Sequence, residues 1–264
     1  EPETLELLPR LATLSGEVHV APDVEVSLPP TPEEPRPALD TARGTLGAQQ
    51  VWDQGFTGKG VTIAVGDTGG APHPDLKDRL VAFKDFVNDR PEAYDDDGHG
   101  THVAGIAAGD GSASRGRFKG LAPEAGIVGI KGLGEKGKGS ASRIISGVQW
   151  AVENRARFNI KAMNVSIGGK AILTGSWDPM ARAATRAMES GVFVAVAAGN
   201  SGPDPKTVET PGIAEAVCPV AILNDRSTVD RVLSRERSST FEWLAAGNSV
   251  HRSIESIART STTC

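Results

Sequence analysis

Four short apolar runs constrain the fold most: Val61-Thr62-Ile63-Ala64-Val65, Ile127 to Lys131, Asn164 to Ile167 and Val192 to Ala198. Each has the length of a buried strand, and stretches with helical spacing lie between them. One is Arg143 to Phe158, with Ile144, Val148, Ala151 and Val152 on a single face, and another is Pro179 to Ser190. Buried strands joined by helices imply right-handed crossovers, so the expected fold is α/β, three-layered, a mostly parallel twisted sheet with helices on both faces. Thirty-one glycines against seven phenylalanines and one tyrosine agree with close packing of small side chains between those layers.

At 264 residues the chain is long enough for one large domain. Residues 23 to 38 alternate once and then turn Pro- and Glu-rich, which reads as a strand running into a linker. A boundary is therefore expected near residue 37, with 1–37 the end of a preceding segment and 38–264 the main domain. The formal charge of −5 comes without a basic run, so nucleic acid is not an expected partner. The longest apolar stretch, Val192 to Ala198, is far below the roughly 20 residues that span a bilayer, and no membrane partner is expected. The two cysteines, Cys218 and Cys264, fit neither a disulfide framework nor a metal spacing.

In parallel sheets ligands gather at the carboxyl ends of strands, which singles out the residues there. Asp67 closes the first run, in Gly66-Asp67-Thr68-Gly69-Gly70. It reads either as a turn cap or as a carboxylate that orients an imidazole. His99 and His102 open a run of small residues after Asp95, Asp96 and Asp97, with a helix expected from about Thr101. Their spacing lacks the Glu of a zinc-binding HExxH helix. His102 is read as packed in the core among Ala and Gly, which leaves His99 as the candidate base. Asn200, after the fourth run, either supplies a left-handed turn or aims its amide at a developing oxyanion. Gly132 to Gly139 approaches the phosphate-loop pattern GxxxxGK[ST], with Gly139 in place of the hydroxyl residue. A P-loop NTPase is the competing enzyme class.

Four segments together resemble the subtilisin family of serine proteases, in the family's order: Asp67-Thr68-Gly69 with His73-Pro74-Asp75-Leu76, His99-Gly100-Thr101-His102-Val103-Ala104-Gly105, Asn164 to Gly169, and Ala197-Ala198-Gly199-Asn200. The resemblance implies a serine endopeptidase in which Asp67 holds the imidazole, His99 is the general base and then acid, and Asn200 donates to the oxyanion. It implies substrate binding as an added strand between Gly137, Lys138, Gly139 and Ser166, Ile167, Gly168. Polypeptide substrates, the chain's own pro-segment (1–37), a secreted location and a monomeric state follow from the same resemblance. No cofactor is required by it, and calcium is common in the family, with Asp75 at a position that binds it there. The acidic residues 95–97 would form a solvated loop favouring basic substrate side chains. Thr260-Ser261 matches the family's serine segment, where Arg259 replaces a glycine and the sequence given ends at Cys264. Ser261 is the expected nucleophile of a C-terminally incomplete peptidase domain, and the alternative is an inactive homologue that keeps the groove as a peptide-binding module.

Overall fold

The computed structural model describes residues 21–28, 39–201 and 207–220. Strand β1 is Glu25–Ser27, followed by helices α1 (Leu39–Thr45) and α2 (Ala48–Asp53), then β2 (Thr62–Asp67) and β3 (Leu80–Asp85). Helix α3 is His99–Ala108, then β4 (Gly126–Lys131), β5 (Lys138–Ser140), α4 (Ala141–Glu153), β6 (Ile160–Val165), β7 (Gly168–Gly169), α5 (Pro179–Glu189), β8 (Phe193–Ala197) and β9 (Cys218–Val220). Six strands form one sheet in the order β3-β4-β2-β6-β8-β9, and every pairing in it is parallel.

Successive side chains on a strand point to opposite faces, and here both faces are covered. Ala64 and Val128 enter a core completed by Ile144, Val148 and Ala151 of α4 and Met180, Ala181, Ala184 and Ala187 of α5. Their neighbours Val65 and Ile127 enter a second core against Ala104 and Ala108 of α3. This is the three-layer α/β arrangement expected. Helix α5 starts where Asp178 accepts a hydrogen bond from the Ala181 backbone N–H and Pro179 occupies the first turn, two features that favour a helix N-terminus.

Several boundaries differ from the sequence reading. Helix α3 begins at His99 rather than near Thr101. Helix α4 spans Ala141–Glu153 rather than 143–158. Strand β6 runs Ile160–Val165, ending before Ser166 and Ile167; Lys161 and Asn164 break the apolar run that would have revealed its start. Strand β3 was not expected, because it is an edge strand whose residues are mostly half-buried and include Lys84. Helices α1 and α2 were not expected either, and α1 buries no residue.

Ile130 is 1% exposed within the larger core. Ile130→Ala is expected to destabilise the fold by about 2–5 kcal/mol through lost transfer energy and a residual cavity. Ile172→Ala, at a surface position, should stay within about 0.5 kcal/mol. Urea unfolding followed by circular dichroism compares the two.

Candidate active site

Because the sheet is parallel, the ends of β2, β6 and β8 lie on one edge, and the chemistry-bearing residues are found there. Asp67 is the last residue of β2 and fully buried, while the His99 side chain at the first turn of α3 is 26% exposed. The His99 Nδ1 lies 2.8 Å and 2.9 Å from the two Asp67 carboxylate oxygens. A carboxylate only accepts, so Nδ1 carries the proton and the neutral ring presents Nε2 as an acceptor. The hydrogen bond donated to Asp67 raises the His99 pKa; burial opposes the shift, and the charges of Asp67, Asp97 and Asp95 add to it.

The helix bearing His99 sits close to the β2 turn because Gly100 has no side chain: a Cβ there would strike the Gly69 carbonyl and come within 3.1 Å of the Asp67 Cβ. Asp95 ties the two together. Its carboxylate accepts from Thr68 Oγ1 (2.9 Å), Gly98 N (2.9 Å), Thr101 N (2.8 Å) and Thr101 Oγ1 (2.6 Å). Burial works to raise the Asp95 pKa, yet the hydrogen bonds from Thr101, Gly98 and Thr68 bring it below the ordinary value. Thr68 Oγ1 in turn accepts from Gly100 N at 2.9 Å. Asp96 pairs with Lys131, whose fully buried ammonium also donates to the Thr68 and Leu133 carbonyls. The sequence reading passed over Lys131. Its signal was a lone lysine closing an apolar strand, opposite Asp67 in the β2–β4 register.

Asn200 follows the end of β8, exposed, on the same sheet edge. Ser261 lies outside the described residues, as do the remaining C-terminal residues from 221 onward.

The two expected substrate strands form a slot, and part of the chain fills it. Strand β1 pairs antiparallel with β5 on one side (Val26 opposite Gly139, Ser27 opposite Lys138) and with β7 on the other (Val26 opposite Gly169, Ser27 opposite Gly168). Leu28 N donates to the Gly137 carbonyl at 2.9 Å. Val26 is 1% exposed.

A family model described as the subtilase family, peptidase S8, matches residues 58–263. The chain belongs to the subtilase family. Serine protease AprX of Bacillus subtilis (strain 168) is 45% identical over 202 residues, covering 74% of this chain and 46% of that protein. Subtilisin DY of Bacillus licheniformis is 34% identical over 218 residues, covering 81% of this chain and 74% of that protein. The crystal structure of a cold adapted subtilisin-like serine proteinase superposes with a TM-score of 0.54 at 34% identity, covering 64% of this chain and 57% of that one. The chain thus spans about half the length of AprX. Relatives include a minor extracellular protease, Vpr, and a major intracellular serine protease, both of Bacillus subtilis (strain 168), so family membership alone carries no compartment. No helix among the described residues is long and apolar enough to cross a membrane.

Several expectations for this subtilase are corrected. His102 is exposed rather than packed in the core, because Gly100, Ala104 and Ala108 form the buried face of α3 and position 102 lies off it. The acidic segment is not a freely solvated loop, since half-buried Asp95 is bonded to Thr68, Gly98 and Thr101, and Asp96, although exposed, pairs with Lys131, while the exposed Asp97 accepts from His99 N at 3.2 Å. Of Ser166, Ile167 and Gly168, Gly168 pairs with β1 as part of Gly168–Gly169, and the Ile167 side chain is buried in the main core. The phosphate-loop reading fails because its amides are already bonded: Gly132 N and Leu133 N donate to the Asp67 carbonyl, Gly134 N to Lys138 and Gly137 N to Gly134. Calcium finds a poor fit beside Asp75. That carboxylate accepts from Ala113 N at 2.6 Å, and the Arg79 guanidinium already occupies the Asp75, Ala108 and Ala125 carbonyls. Among the described residues no cluster of His, Cys, Asp or Glu is arranged to hold a metal ion.

The raised imidazole pKa yields a measurable expectation. In wild type the His99 ring should titrate above the ordinary imidazole value by proton NMR, and in Asp67→Asn the midpoint should fall back toward it. Since folding raises this pKa, the stability it supplies is complete below the unfolded-state value and fades as pH rises through the folded one. The stability gap between wild type and Asp67→Asn should therefore be wider near about pH 5 than near about pH 9.

Proposed function

We propose that this chain is a serine endopeptidase that hydrolyses polypeptides through an acyl-enzyme, with Ser261 as nucleophile, His99 as general base and then acid, Asp67 as its orienting partner and Asn200 as oxyanion donor. The observation that carries the reading is the buried Asp67–His99 pair at the carboxyl edge of the sheet that also ends beside a slot holding an extended strand.

The chemistry follows from the proton inventory. With Nδ1–H held by Asp67, Nε2 takes the serine proton as the hydroxyl attacks the scissile carbonyl. The imidazolium so formed lies against a buried carboxylate, which stabilises it without accepting its proton. His99 then returns the proton to the leaving amine, and water repeats the cycle on the ester. The Asn200 amide would stabilise the tetrahedral oxyanion.

Residues 1–37 are, in this reading, the end of a pro-segment that lies in the substrate slot through β1, and 38–264 the peptidase domain. A substrate would replace β1 with the same main-chain hydrogen bonds. The enzyme acts as a monomer outside the cell. The second reading, a peptide-binding homologue without turnover, is favoured by one sequence fact, Arg259 where the family carries a glycine before its Thr-Ser.

A fluorophosphonate probe tests the proposal on the full chain. Labelling that is lost in Ser261→Ala and suppressed in His99→Ala supports the peptidase, and absence of labelling in wild type supports the binding module. If the chain turns over peptides, Asn200→Ala should lower kcat by about 10²–10³ with little change in KM, a magnitude taken from subtilisin itself.

A further inference from the structure

The carboxyl end of α3, opposite the end that bears His99, is closed by an internal cation that the reaction scheme leaves unused. The last carbonyls of a helix have no partner within it and must find one elsewhere. Here Gly105 O accepts from Gly109 N at 2.8 Å, Ile106 O from Leu121 N at 3.1 Å and Ala107 O from Ala122 N at 2.8 Å. The next carbonyl, that of Ala108, accepts from the Arg79 guanidinium. The same side chain donates to the Ala125 carbonyl at 2.8 Å and to the Asp75 carbonyl at 2.5 Å. Ala108 and Ala125 are fully buried, so their carbonyls would be costly to leave without a donor.

Three separate stretches of chain thus converge on one guanidinium: the turn that follows β2, the end of α3 and the approach to β4. The loop 109–120 is stitched to the same corner. Asp110 N donates to the Asp75 carbonyl at 2.9 Å, and the Asp75 carboxylate accepts from Ala113 N at 2.6 Å. Gly120 brings the loop back so closely that a Cβ there would lie 2.7 Å from the Gly105 carbonyl oxygen and from the Gly109 nitrogen.

Carbonyl oxygens gathered from separate segments call for a positive charge, and two kinds could supply it. Calcium takes roughly six to eight oxygen ligands, carboxylate and carbonyl among them. A guanidinium brings several N–H donors in a fixed plane and stays charged at any working pH. Either would also meet the negative end of the helix dipole at Ala108. The family resemblance puts calcium beside Asp75, whereas in this chain the surrounding carbonyls are taken by Arg79 and the carboxylate accepts from the Ala113 amide.

We infer that Arg79 is the resident cation of this corner: its guanidinium fills the role that the resemblance assigns to calcium, and the loop 109–120 and the carboxyl end of α3 are held without a divalent ion. The inference does not depend on turnover, since it concerns how the helix that bears His99 is anchored.

Hydrogen exchange read by mass spectrometry on the full chain tests it, with peptides covering 105–122 as reporter and peptides from α4 as reference. Wild type is measured in excess calcium chloride and in excess EDTA, alongside Arg79→Met and Arg79→Lys. The expected result is equal protection of 105–122 in wild type in the two solutions, and exchange there about tenfold faster in Arg79→Met with α4 unchanged. Arg79→Lys keeps the charge but loses the planar fork, and its exchange should fall between the two. Calcium that slows exchange at 105–122 in wild type overturns the inference, wherever else in the chain the ion also binds. Protection in Arg79→Met equal to wild type, or an acceleration shared equally by α4, overturns it as well. Should Arg79→Met not accumulate as folded protein, the two wild-type solutions and Arg79→Lys decide: faster exchange in Arg79→Lys confined to 105–122 supports the inference, and unchanged exchange there overturns it.

Discussion

The site depends on how tightly the turn after β2 is tied to the first turn of α3. Asp95 is the knot. One carboxylate oxygen accepts from Thr68 and Gly98, and the other from the Thr101 backbone and hydroxyl, so the strand end that carries Asp67 and the helix end that carries His99 share a single anchor. Lys131 braces the anchor from below, with its ammonium divided between Asp96 and the carbonyls of Thr68 and Leu133. A buried ammonium is tolerated only when its charge and donors are matched, and here they are. The consequence is an imidazole whose position does not rest on a flexible loop, which is what proton transfer at fixed geometry requires.

The central sheet was legible in the sequence because buried parallel strands are continuous apolar runs, and Val61 to Val65 and Ile127 to Lys131 are such runs. Asp67, His99 and Asn200 were legible because each follows such a strand or opens a helix beside small residues. What escaped were features decided by packing. Strand β3 mixes Lys84 and Asp85 with apolar residues at a sheet edge, so its periodicity is weak. The role of the acidic run was misread because nothing local says that Asp95 bonds to Thr68 and Thr101 or that Asp96 pairs with Lys131, partners up to 35 residues away in sequence. His102 was misplaced because two residues are about 200° of helix turn, so position 102 lies opposite Ala104 and off the buried face set by Gly100, Ala104 and Ala108.

The slot between β5 and β7 connects fold to recognition. Val26 is paired with Gly139 on one side and Gly169 on the other, and a Cβ at Gly169 would come within 2.9 Å of its side chain. Such a slot binds main chain first and side chains second, so a broad range of peptides fits it. Selectivity must then come from the few side chains that reach the slot.

The central claim, that a strand-binding slot delivers a peptide carbonyl to the His99 Nε2 side, is tested most directly by affinity alkylation. A peptidyl chloromethyl ketone would be incubated with the full chain and the modified residue located by mass spectrometry of fragments. The account predicts an adduct on His99, none on His73 or His102, and a much slower reaction in Asp67→Asn. Modification of the exposed His102 at the same rate as His99, or no adduct on His99 at all, would contradict it.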